Sequence, residues 1–202
     1  GIALDHHVHL FSVLADDFRR MRSDRFMGYG KPLLVLRDDT LAVANRPVPR
    51  TSWLTRRRAL HGETVSRLGI VRVVRGLFRL DDPSAIAARN ERLDQHVREV
   101  VSRLFGELAR VNAAKGSRLV LVFLPGAWDY TGQPGTETWR SFVRDEAARQ
   151  NIEFLDLVDE LRLLPPAEVP SLYAPNLHFS VAGNTWAAET IHRRLQPLQP
   201  PR

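Results

Sequence analysis

Few side chains in this 202-residue chain have the type and spacing for chemistry. The foremost is His178, in "APNLHFSVAGNTW", at the mouth of a predicted helix. An imidazole there can take a proton from a hydroxyl when a nucleophile faces it and a carboxylate holds the ring from behind. Ser180 reads as the cap of the following helix, since a serine there accepts an otherwise unpaired N–H. The carboxylates that could join the site are Asp16 and Asp17, and Asp129 between Trp128 and Tyr130. Asp156, in "FLDLVDEL", reads as a cap or loop-orienting group at a strand end. His6, His7 and His9 crowd the amino end without a second cluster of metal-ligand spacing, so neither a metal nor a cofactor is assigned.

The elements that must position these groups follow from apolar patterning. Residues 8–14, "VHLFSVL", form an apolar run that stops at Asp16–Asp17, as a buried parallel strand does where its carboxyl end meets solvent. Leu33–Leu36 and Leu41–Ala44 flank an Asp-Asp-Thr turn and predict a hairpin. Asp81–Asp82–Pro83–Ser84 predicts a helix start capped by Ser84. The apolar stripe through Leu93, Val97, Val100, Val101, Leu104, Leu108 and Val111 then carries that helix to Gly116. "RLVLVFLP", apolar on both faces, predicts a central strand, and "GAWDYTGQPG" a loop after it. A helix over 136–150, a strand over 152–158 and a last helix over 180–195 complete the order. This alternation predicts an α/β fold, a three-layer sandwich around a parallel sheet, as a single domain over 1–202. Ligands of such sheets collect at the carboxyl strand ends. Asp16–Asp17, Trp128–Tyr130 and His178 all fall at that rim.

Bulk composition excludes some functions. With no cysteine there is no disulfide, thiolate nucleophile or Cys-ligated metal. No apolar run reaches the 18 or so residues of a membrane span. The net charge of +6 is almost wholly arginine, because Lys31 and Lys115 are the only lysines. Arginines concentrate in 50–80 against the single acid Glu63, interleaved with apolar residues at helical spacing. That pattern predicts a basic amphipathic excursion. Its arginines, Arg56, Arg57, Arg58, Arg72 and Arg75 among them, make a solvated face or a contact with a protein partner or an anionic membrane surface. Nucleic acid is not expected, since aromatics are sparse among these arginines and no binding fold is recognised. The chain opens on Gly1 rather than Met, which reads as a processed, truncated or partial product.

"HFSVAGNTWAAETI" resembles the last block of the SGNH/GDSL hydrolases, and "LVLVFLP…DYT…W…FLDLVDELRLLP…LYAP" resembles the second half of their bacterial members. "LFSVLADDFRR…YGKPLLVLRDDTLAVANRPVP" resembles the segment after the family's third strand. The resemblance implies a flavodoxin-like sandwich lacking its first strands. It also implies His178 as general base, Asn176 at the position of the triad acid, Asp16 at that of the oxyanion asparagine, and Asp17 as the aspartate after it. Trp128, Asp129 and Tyr130 would line the substrate cleft. None of the 12 glycines precedes an aspartate, so the Gly-Asp-Ser nucleophile block is absent. Two expectations result: a protein of esterase or O-acyl hydrolase ancestry that is not competent as this chain, or a non-catalytic accessory subunit of a larger complex. Relatives of this layout imply a periplasmic or extracytoplasmic site.

Overall fold

The computed structural model describes residues 6–26, 29–50, 52–53, 57, 82–131 and 136–196. The chain divides into two compact units, one from the residues up to Asp17 with those from Phe105 onward, the other Phe18–Leu104.

The first unit is built on a three-stranded parallel sheet of β1 (Val8–Val13), β6 (Arg118–Phe123) and β7 (Glu153–Asp156), in the order β1–β6–β7. The expected α/β class and parallel sheet are both present. β6 is central, and Val120 through Phe123 are wholly buried, which explains a run apolar on both faces. Val120 and Val122 pack with Leu157 and Ala187, of helices α5 (Leu157–Arg162) and α6 (Val181–Leu195). Phe11 is in register with Leu121, so by strand alternation it points to the opposite face. There Phe105, from the long helix α2 (Pro83–Ala114), meets it edge to face at 6.2 Å. Helices therefore cover both faces of the sheet. The same unit holds α3 (Ala127–Thr131), α4 (Thr136–Arg149) and a 3₁₀ turn over Val169–Leu172.

The second unit contains α1 from Phe18 on (the helix spans Ala15–Met21), the ribbon β2 (Arg25–Phe26) with β3 (Tyr29–Gly30), and the hairpin β4 (Leu33–Arg37) with β5 (Thr40–Ala44). The hairpin falls where its sequence predicts. Asp38 and Asp39 both take positive φ, 48° and 59°, as a type I′ two-residue turn requires. The Arg103 guanidinium donates to the carbonyl oxygen and the carboxylate of Asp39, clamping this turn to α2. Phe18, Val97, Val100 and Val101 are buried.

Two local expectations are corrected. The cap of α2 is Asp82, not Ser84: its carboxylate accepts the Ser84 N–H at 2.9 Å and the Ser84 hydroxyl at 2.8 Å. Pro83, with a helix-ready φ and no N–H to satisfy, takes the first helical position and so moves the cap one residue upstream of itself. The segment after Gly126 is not a loop throughout but opens with α3. The excursion over 50–80, with Arg56, Arg58, Arg72 and Arg75, lies outside the described residues except at Arg50, Ser52, Trp53 and Arg57. Among the described residues no helix is long and apolar enough to cross a membrane.

Candidate functional site at the carboxyl end of the sheet

Two strands of the sheet hand over to a helix with the same device. After β1, Asp17 accepts the Leu14 N–H at 3.1 Å while its own N–H donates to the Leu14 carbonyl at 3.0 Å. After β6, Asp129 accepts the Gly126 N–H at 2.8 Å and donates its N–H to the Gly126 carbonyl at 3.0 Å. Each is an acid on the third helical position reaching back to the first free N–H, the acidic half of a capping box. Asp17 and Asp129 are thus committed to starting α1 and α3. Asp16 lies in the first turn of α1, partly exposed. Trp128 and Tyr130 flank Asp129 with about two fifths of their surface exposed.

Asp156 caps α5, accepting the Val158 N–H at 3.0 Å. It also takes a 2.7 Å hydrogen bond from Arg140, which is only 3% exposed. Arg140 further donates to Glu137 at 3.0 Å and to Asp159. Burial opposes the guanidinium charge, but these three carboxylates outweigh it and hold Arg140 above its ordinary range. Burial pushes the Asp156 carboxyl up, against the opposing effect of Arg140. Sequence reasoning missed this network. Its signal was present: Arg140 lies on the stripe of Val143 and Ala147, where α4 buries its apolar side chains.

His178 sits in a tight turn. The Ala174 N–H donates to the His178 carbonyl at 2.8 Å, and the Leu177 N–H to the Ala174 carbonyl at 2.9 Å. Tyr173 and Phe179 form the bridge that closes the turn. The Asn176 side-chain oxygen accepts the main-chain N–H of His178 at 3.3 Å, which is a contact with the backbone and not with the ring. The imidazole is exposed, and among the described residues nothing hydrogen-bonds to it. Leu177 has φ 66°, and the other non-glycine residues with positive φ among those described are all Asp or Asn. A branched apolar residue here occupies a position that glycine usually fills, at a cost of about 1–2 kcal/mol.

Ser180 is the cap of α6, as its position predicts: its hydroxyl accepts the Gly183 N–H at 3.2 Å and donates to the Ser171 carbonyl at 2.7 Å. Gly183 was not singled out from sequence, yet a Cβ there would lie 2.1 Å from the Leu172 carbonyl oxygen. Tyr173 is a second missed residue. Its hydroxyl donates to the Pro125 carbonyl at 3.3 Å, and burial, then the Asp129 charge, pushes its phenol well above the ordinary range. Tyr173, Phe179 and Trp186 pack ring against ring beneath the turn, the first pair tilted at 5.4 Å and the second edge to face at 6.2 Å. Through Tyr173 the His178 turn and the Trp128–Tyr130 segment come to the same end of β6. Among the described residues, no hydrogen bond or ion pair joins the His178 ring to Asp16, Asp17 or Asp129.

At the opposite end of the sheet, His9 Nδ1 lies 3.1 Å from the buried Asn112 Oδ1, whose amide donates to the Leu108 carbonyl at 2.7 Å. That ring fastens β1 to the end of α2. Among the described residues no group of three His, Cys, Asp or Glu converges to hold a metal. Compared with protein-family models, curated proteins and solved structures, the chain matches none.

Proposed function

We propose that the sheet unit descends from an SGNH/GDSL hydrolase of the esterase or O-acyl hydrolase type, and that this chain alone does not turn over esters. The observation that carries the reading is the strand order β1–β6–β7. In a flavodoxin-like sheet of order 2-1-3-4-5, three parallel strands that follow one another in chain order within the sheet and lie side by side correspond to strands 3, 4 and 5, with the short β2–β5 strands an insertion outside it. Strand 1, the bearer of the family's Gly-Asp-Ser block, would then belong against the outer edge of β1. On this reading His178 is the base awaiting a hydroxyl brought in on that strand, and Asn176 stands where the triad acid would be. Trp128, Asp129 and Tyr130 line the acyl cleft. Asp16 at the oxyanion position opposes hydrolysis, because it sets negative charge where negative charge develops.

The test is labelling with a fluorophosphonate probe and hydrolysis of a p-nitrophenyl acetate series. The chain should take up no label, and its rate should equal that of H178A. Stoichiometric labelling of any serine overturns the inactive reading.

A second reading, a non-catalytic accessory subunit of a larger, extracytoplasmic complex, is favoured by the same edge. Among the described residues β1 pairs on one side only, and its Leu10 is 39% exposed. An apolar strand edge of this kind accepts a partner strand. Recovery of a stable large complex from membranes supports it, and a monodisperse monomer in such extracts counts against it.

A further inference from the structure

The Phe18–Leu104 unit holds a cavity of about 180 Å³ lined by Asp24, Arg25, Gly30, Asn45, Arg50 and Ser52 among its residues. Drug-sized ligand sites start near 300 Å³, so this cavity suits a small polar group. Its walls are pinned through the backbone. Asn45 donates to the Lys31 carbonyl at 2.7 Å, and the Lys31 N–H donates to the Asp24 carbonyl at 2.8 Å. A Cβ on Gly30 would come 3.0 Å from Val48 Cγ1, so the segment leading to Arg50 lies directly over β3.

Arg25 and Arg50 reach the cavity from separate segments, and among the described residues neither guanidinium has a carboxylate within ion-pair range. Burial lowers the Lys31 ammonium from its ordinary range, and the charge of Asp24, which also lines the cavity, opposes that effect. Trp53, the residue after Ser52, is 65% exposed, with the Arg57 guanidinium 5.9 Å from its ring centroid. One guanidinium fork saturates a planar carboxylate, whereas two forks from different segments suit a tetrahedral phosphate. An exposed Trp beside arginines is the pairing that sits at a membrane–water interface.

We propose that this cavity binds a phosphate group through Arg25 and Arg50, and that its source is the headgroup of an anionic phospholipid, with Trp53 entering the interface. The test sediments the full chain with phosphatidylcholine vesicles with and without phosphatidylglycerol, and in parallel titrates inorganic phosphate by calorimetry. The wild type should bind only the anionic vesicles. R25Q/R50Q should weaken that binding at least tenfold, while R89Q/R92Q, which removes equal charge from exposed positions of α2, should stay within twofold. W53A should weaken vesicle binding and leave phosphate binding intact. Phosphate binding that R25Q/R50Q abolishes, without vesicle binding by the wild type, keeps the phosphate site and reassigns its source to a soluble ion. Equal losses in the two double variants, or no loss in R25Q/R50Q, overturn the proposal. An unchanged melting temperature certifies each variant's fold, and R25K/R50K, which keeps charge but loses both forks, replaces the glutamine pair if that pair unfolds.

Discussion

Two corners at the carboxyl end of one sheet treat charge in opposite ways. Where β7 ends, Arg140 is buried and Asp156 partly so, and every carboxylate in reach (Glu137, Asp156, Asp159) turns to the guanidinium. At the 174–178 turn the imidazole of His178 is exposed and unpaired among the described residues, while the side chain of Asn176 serves the backbone. A buried charge must be compensated within the fold or it destabilises. An exposed imidazole costs almost nothing and stays available for a partner. The charges at this rim are therefore spent on folding at one corner and left uncommitted at the other.

The sharpest way to break the contrast is R140M. It leaves the partly buried Asp156 without its partner, and chemical denaturation should show a loss of about 3 kcal/mol, the low end for a broken buried pair. Adding D156N should recover part of that loss, because an asparagine keeps the cap to Val158 without the charge. If R140M is neutral, the network is not what holds this corner. G183A comes next: overpacking against the Leu172 carbonyl should cost about 1–3 kcal/mol, read as a lower melting temperature, with the His178 turn displaced. L177G works in the other direction. Relief of the left-handed strain, less the extra chain entropy of glycine, should stabilise by up to about 1 kcal/mol. A destabilised L177G would mean that the exposed leucine makes a contact worth more than its strain.

The smallest effect is in pH. Burial raises the Glu137 carboxyl, but Arg140 and, to a lesser degree, Arg162 outweigh this and hold it below its ordinary range. A depressed carboxylate contributes stability above its unfolded pKa of about 4.3, lost as pH falls through the folded value. Asp156 is raised and runs the opposite way, its contribution fading as pH rises through its folded value. E137Q should therefore flatten the change in denaturation midpoint between about pH 5 and pH 3, and an unaltered acid limb would remove Glu137 from the network.

Much of the fold was legible because single physical signals decide it. An apolar run on both faces marks β6, a long 3.6-residue stripe marks α2, and adjacent Asp residues between apolar runs mark the β4–β5 turn. Ser180 was legible as a cap for the same local reason. Asp17 and Asp129 were read as candidates for the site because a carboxylate's type is visible in sequence but its partner is not. Both turn back three residues to a backbone N–H. Arg140 was missed because its three acids come from three positions, 137, 156 and 159, that only packing brings around one guanidinium. Tyr173 was missed because its hydrogen bond spans 48 residues, to Pro125.

The amino-acid sequence by itself determined the α/β alternation, the central strand, the hairpin turn and the Ser180 cap, since each depends on neighbours within a few residues. Only the tertiary structure decided which strands flank that central one and which edge is unpaired among the described residues, where Gly183 must be bare, and which carboxylates are consumed. Those outcomes depend on distances between segments far apart in the chain, which no local pattern encodes.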